Sequence, residues 1–226
     1  MKILVVAAHP DDEILGLGGT LARHIRSGDV VETLILATGA TSRVADDYDT
    51  VAALREAANA AANVLGCTPP RFGNLPDNRL DSLDLLDVIK MVEFVVAEVK
   101  PEVVYTHWAH DLNVDHGITC RAVLTACRPL PGSATRVIYA FETVSSSEWN
   151  FLGEARAFAP NRFVDVADTL ETKICALKCY AHEMRDFPHA RSYEAIRALA
   201  KVRGAQSGLT AAEAFVVLRE IEGLPR

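Results

Sequence analysis

Residues 2–13 read Lys2-Ile3-Leu4-Val5-Val6-Ala7-Ala8-His9-Pro10-Asp11-Asp12-Glu13, an apolar run that passes directly into a knot of charge. After the lysine the run is short, partly β-branched and apolar without alternation. Strands covered on both faces, as in parallel sheets, have this pattern. A helical pattern from Glu13 to Ser27 follows, ended by Gly28, and then a second apolar strand, Val30–Ala37. Glu102–Thr106 and Val137–Phe141 read as further strands, with shorter ones near Phe72 and over Phe163–Val166. Helical periodicity covers Thr50–Leu65 (Thr50 as N-cap), Leu83–Val99, Asp115–Ala126, Thr169–Met184, Tyr193–Val202 and Ala211–Glu220. The alternation predicts right-handed βαβ units, hence an α/β fold with a mainly parallel sheet and helices on both faces. No repeat or Gly/Ser linker interrupts it. Residues 1–226 are expected to form one domain, with a helical or irregular lobe around the site after about residue 143.

Composition narrows the function. A chain of 226 residues, 50% hydrophobic and 23% charged, buries a full core without disulfides and is not disordered as a whole. Its 23 basic against 30 acidic side chains give a net charge of −7 with no basic cluster, which argues against nucleic acid as a partner. No apolar run approaches the roughly 18 residues of a membrane span. Ile3–Ala8 is too short for a signal sequence. Cys67, Cys120, Cys127, Cys175 and Cys179 show no CxxC spacing and read mostly as small core residues. The expectation is a soluble cytoplasmic protein with no membrane partner.

In open α/β sheets ligands bind beyond the carboxyl ends of the strands. His9, Asp11 and Asp12 stand there. One carboxylate is enough to cap the next helix, but two adjacent ones are costly to desolvate, and a cation beside them is the natural remedy. His9 and Asp12, three apart across the strand-to-helix turn, can converge on one ion. Gly16, Gly18 and Gly19 invite a dinucleotide reading, but the GxGxxG spacing is absent. They suit close helix–sheet packing instead. A third ligand is expected from another strand end, and residues 107–116 hold three histidines and two aspartates. A His, Asp, His set with an open fourth position suits catalytic Zn2+, with Fe2+ or manganese as alternatives.

The HPDDE sequence ending the first strand and the DLNVDH sequence at 111–116 together resemble the LmbE-like/PIG-L family of zinc-dependent N-deacetylases. Ser145–Trp149 and Pro188–Ser192 are similar to segments of its bacterial members. The resemblance implies a Rossmann-like fold, a zinc cofactor and hydrolysis of an acetamide on a small amino-sugar substrate of the GlcNAc type. It further implies His9, Asp12 and His116 as metal ligands, Asp11 as general base, and is compatible with a homo-oligomer. Asp115 either orients a ligand ring or caps the helix that begins there. There is one departure: many relatives carry histidine where this chain has Asn113. An amide stabilises an oxyanion by hydrogen bonding but is no protonated acid. A cationic helper is therefore sought among His107, His110 and His189. Arg79, Asn113, His189 and Arg191 are the candidate substrate-binding residues, with Arg43 a weaker one. Trp108 and Trp149 suit a stacking wall or simple apolar anchors, and His24 and His182 read as surface groups on helices. The alternatives are a zinc amidase acting on another small amide conjugate, or a metal- or sugar-binding protein without turnover, which would have no use for Asp11.

Overall fold

The computed structural model describes residues 1–40, 48–151 and 157–223. At its centre lies β1 (Lys2–Ala7), whose side chains alternate between two cores: Ile3 and Val5 face one, Leu4 and Val6 the other. All four are fully buried. Two-sided burial explains why the strand carries no polar alternation. β2 (Val30–Ala37) and β3 (Arg71–Leu75) extend the sheet to one side of β1; β4 (Val103–His107) and β5 (Val137–Phe141) extend it to the other. These five strands are parallel, and β7 (Ala212–Glu220) then pairs antiparallel with both β5 and β6 (Arg162–Asp165). The resulting order is β3-β2-β1-β4-β5-β7-β6.

α1 (Asp12–Arg26), α2 (Tyr48–Leu65) and α5 (Leu170–Cys179) cover the Ile3/Val5 face, joined by Ile196 of α6 (Tyr193–Ser207). α3 (Leu85–Val99) and α4 (Val114–Ala126) cover the Leu4/Val6 face. The chain leaves β1 towards one edge and returns at β4 to build the other. The crevice at the carboxyl ends of β1 and β4 is therefore the switch point of the sheet, where ligands bind in such folds. Among the described residues no helix is long and apolar enough to cross a membrane.

Three expectations change. Ala211–Glu220 is not a helix: it supplies β7, so the C-terminal part adds two strands to the sheet as well as loops around the site. Its alanines and glutamates favour a helix, but tertiary contacts override that preference. Phe215 is fully buried and packs edge-on against Tyr105, and Glu213 accepts the backbone N–H groups of Gly19 (3.0 Å) and Thr20 (2.6 Å). Those donors lie just past Leu17, whose φ of −148° breaks the helical path of α1. Lys173 completes the clamp, donating to Leu15 O and pairing with Glu213 at 2.7 Å. Second, α2 begins at Tyr48, so Thr50 lies inside the helix and does not cap it. Third, α5 stops at Cys179, short of Met184.

Candidate active site

His9 follows β1, Asp12 opens α1, and His116 lies in the first turn of α4, so three elements meet at the switch point. Asp12 Oδ2 is the focus. It lies 3.2 Å from His9 Nδ1 and 3.3 Å from His116 Nε2, and it accepts the His9 backbone N–H at 3.0 Å. The donor atoms of these three residues all lie within 4.8 Å of one another. The remaining ring nitrogens are anchored from behind. His9 Nε2 meets Asp115 Oδ2 at 3.0 Å, and His116 Nδ1 meets Asp111 Oδ2 at 2.8 Å. A carboxylate behind each imidazole fixes the tautomer and turns the other nitrogen's lone pair inward, as metal sites require.

Two observations test whether these residues fit a cation. Asp12 Oδ1 is buried and has no hydrogen-bond partner among the described residues, a costly state for a carboxylate oxygen that a bound ion would relieve. The negative groups around His9 also draw positive charge: burial works against its protonation, but Asp115 and Asp12 outweigh burial and raise its pKa to about 10. Two imidazoles and one carboxylate fit a divalent metal of the zinc or ferrous type.

Asp11 stands next in the chain but faces elsewhere. Its backbone is left-handed (φ 96°, ψ −29°), so its carboxylate diverges from that of Asp12 and meets the Arg191 guanidinium at 2.6 Å. Burial pushes its pKa up to about 7, against the pull of Arg191. It lines a cleft of about 180 Å³ together with His9, Asp77, Asn78, Asn113, Glu183 and Arg191. A carboxylate beside a metal set, open to a small polar cleft, is placed to take a proton from a molecule bound there.

Known proteins resemble this chain over most of its length. The family model PIG-L, described as GlcNAc-PI de-N-acetylase, matches residues 4–127, a span that holds most of the first strand and both motifs. The chain belongs to this deacetylase family. It is 31% identical over 182 residues to the uncharacterized deacetylase YaiS of Escherichia coli, covering 78% of this chain and 88% of that protein. It is 25% identical to a Mycobacterium 1D-myo-inositol 2-acetamido-2-deoxy-alpha-D-glucopyranoside deacetylase, covering 84% of this chain and 77% of the relative. Among solved structures, N,N'-diacetylchitobiose deacetylase from Pyrococcus horikoshii superposes with a TM-score of 0.78 at 20% identity, over 96% of this chain and 84% of its own. GalB of Pseudomonas putida, a 4-carboxy-2-hydroxymuconate hydratase, does so equally well, at 0.78 and 24% identity over 99% of both chains. At such identities the likeness shows the fold alone.

Within this PIG-L member, Asn113 caps α4. Its Oδ1 accepts the Asp115 N–H at 2.9 Å while its Nδ2 donates to Asn78 Oδ1 at 2.8 Å. Of the two alternatives for Asp115, the geometry has its carboxylate against His9 Nε2 at 3.0 Å, while Asn113 makes the capping bond. His107 is not a cationic helper. Its Nε2 accepts the Ala8 N–H at 2.9 Å, its Nδ1 faces Thr143 Oγ1, and burial holds its pKa well below the usual histidine value. It is a neutral wall, stacked on His116 at 3.9 Å. Arg79 is exposed at the start of a 3-10 turn and does not line the cleft. His189 does not line it either: its Nδ1 accepts the Arg191 N–H, and its ring meets Trp149 edge-on at 5.6 Å. Trp108 packs edge-on against Phe158 and His110, as an apolar anchor would. His24 is no surface group, since it bridges Asp29 (2.7 Å) and the buried Tyr105 hydroxyl (3.0 Å). Arg43 lies outside the described residues.

Sequence reasoning missed Asp77, Asp111 and Glu13 as members of the site. Asp77 Oδ1 lies 3.4 Å from His9 Nε2. Asp111, five residues before His116, carried a signal that went unused, because a carboxylate near a ligand histidine is the usual orienting partner.

Proposed function

We propose that this PIG-L family protein is a zinc-dependent N-deacetylase that removes the acetyl group from an amino sugar or its conjugate, releasing acetate and a free amine. The observation that carries this reading is the divergence of two adjacent carboxylates, Asp12 towards His9 and His116, Asp11 towards the open cleft. His9, Asp12 and His116 would hold the cation, which when bound supplies a Lewis acid that acidifies water and polarises the amide carbonyl. Asp11 accepts the proton of the attacking water and passes it to the nitrogen as the C–N bond breaks. Arg191 holds the Asp11 carboxylate in place, and the polar wall of the cleft, with Asn113 and Asn78, suits the hydroxyls of a sugar. His107 has its ring nitrogens engaged by the Ala8 N–H and Thr143 Oγ1, so no proton for the leaving amine is drawn from it in this reading. The names of the 1D-myo-inositol-conjugate and diacetylchitobiose deacetylases support an N-acetylated glucosamine substrate.

The test is acetate release from a panel of N-acetylhexosamines, free, glycosidically linked and nucleotide-linked, with metal content measured on the same sample. Activity lost to a chelator and restored by zinc is expected. A metal-replete protein inactive on the whole panel, yet able to cleave another amide, would replace the sugar reading with an amidase on a different conjugate.

A further inference from the structure

We propose that Glu13 and Tyr180 form a positioning pair that holds Asp11 in its left-handed conformation, and so gives the two adjacent aspartates separate tasks. This rests on the reading of Asp11 as the proton acceptor. Glu13 is the last residue of the HPDDE sequence and is 2% exposed. Neither of its oxygens is wasted: Oε2 accepts the backbone N–H of Asp11 at 3.0 Å, and Oε1 accepts the hydroxyl of Tyr180 at 2.7 Å. Tyr180, 1% exposed, caps the C-terminus of α5, which packs on α1 across the sheet face.

The arrangement answers a problem set by the sequence. An L-residue other than glycine avoids φ near +96° unless its surroundings over-determine it. Asp11 gets no relief from its own side chain, which makes no capping bond to α1 and reaches instead to Arg191. Its N–H needs an acceptor on the buried side, and Glu13 is that acceptor. A glutamate at the third helical position reaching back to the N-cap N–H is half of a capping box, and Glu13 makes the same contact from the second position. Here the second half is missing, and a tyrosine from another helix steadies the carboxylate instead. A buried carboxylate is expensive when a neutral side chain would fill the same volume. Its use of both oxygens on Asp11 and Tyr180 is what that cost sustains.

Metal-loaded Tyr180→Phe, Glu13→Gln and Glu13→Ala proteins test the pair. Tyr180→Phe deletes one hydroxyl without opening a cavity. It should keep its metal and its melting temperature within a few degrees, while kcat falls about 10–100-fold at nearly constant KM, the scale of a misplaced reacting group. Glu13→Gln still offers an amide oxygen to the Asp11 N–H and should be milder than Glu13→Ala. Crystal structures of Tyr180→Phe and Glu13→Ala should show Asp11 leaving positive φ or its carboxylate drawing away from Arg191. Unchanged Asp11 geometry overturns the proposal, as does an unchanged kcat, a loss confined to KM, or a fall in kcat that only tracks lost metal. If the parent protein releases no acetate, the deacetylase reading alone is struck. The Asp11 backbone in the variant structures then still decides whether the pair positions it.

Discussion

The Arg191 guanidinium and the Asp11 carboxylate are 180 positions apart in the chain and 2.6 Å apart in the fold. Arg191 also donates from Nε to Ser145 Oγ at 2.8 Å, so one planar side chain ties the loop after β1 to the loop after β5 across the cleft. Its fork geometry is what allows two partners at fixed angles. Arg191→Ala should leave the metal content unchanged and lower kcat by roughly 10–100-fold, because Asp11 loses its lateral restraint. Arg191→Lys should recover only part of that, since an ammonium reaches the carboxylate without spanning to Ser145. Steady-state kinetics beside metal analysis checks both.

Asp115 and Asp111 stand behind the proposed metal set, where they meet His9 Nε2 and His116 Nδ1 respectively. Replacing either by asparagine should weaken metal affinity by about 10–100-fold, the usual effect of removing an orienting carboxylate. His116→Ala should remove most of the metal outright. Competition against a chelator of known affinity ranks the three. A His116→Ala protein at full occupancy would discard the ligand set.

Much of this was legible because it is local. β1 is recognisable from its six residues, and the polar cluster after it sits where any strand end of a parallel sheet presents its ligands. The nearby partners His9 and Asp12 are three residues apart, within one turn. Other features depend on contacts that spacing does not encode. Ala212–Glu220 has helical propensity and becomes a strand because Glu213 and Phe215 find partners on α1 and β4. Asn113 rather than Asp115 caps α4, a difference of two residues that decides which carboxylate is left to orient His9. Arg79 and Arg191 looked alike as arginines in loops, and only the fold brings Arg191 to the cleft.

Gly16 lies where α1 crosses β5. A Cβ there would sit 2.3 Å from Cδ2 of the buried Phe141 ring, so the ring would have to move. Phe141 leans on His107 at 4.6 Å between ring centroids, and His107 stacks on His116. Gly16→Ala should therefore cost about 1–3 kcal/mol of stability, the range for overpacking a tight core. It should also loosen the metal, although it touches no ligand. Denaturant unfolding and chelator competition on the same variant read the two effects separately.

Glu142 and Arg203 make a bidentate pair, 2.8 and 2.6 Å, away from the metal set. Burial raises the Glu142 pKa, and Arg203 opposes it. In Arg203→Met that opposition is gone, so the folded carboxyl takes up a proton still more readily than the unfolded one. A raised folded pKa makes the cost absent below the unfolded value near 4.5 and complete only above the folded value. The variant should lose about 3 kcal/mol at pH 8 and recover much of it near pH 5. Melting temperatures of both proteins at the two pH values give the comparison. A deficit independent of pH would mean that lost packing, not the stranded carboxylate, is responsible.

The adjacent aspartates should respond in opposite ways to the same small change. Asp12 offers Oδ2 to both histidines, and its Oδ1 has no partner among the described residues, so Asp12→Asn replaces the proposed charged ligand by a poor one and should lower metal occupancy, with activity following. Asp11→Asn should keep the metal. Asparagine tolerates left-handed φ better than most residues, its amide oxygen can still accept from Arg191, and its N–H remains available to Glu13. Arg191 also retains Glu183 at 3.7 Å, so its charge is not stranded. An amide cannot take up the water's proton, however, and kcat should fall roughly 10²–10⁴-fold, the scale for losing a general base. KM should hardly move, because the cleft walls are intact. Metal content and kcat measured on both variants decide the assignment: metal lost from Asp11→Asn but kept in Asp12→Asn would exchange the roles, and full activity of Asp11→Asn would reduce its carboxylate to an anchor for Arg191.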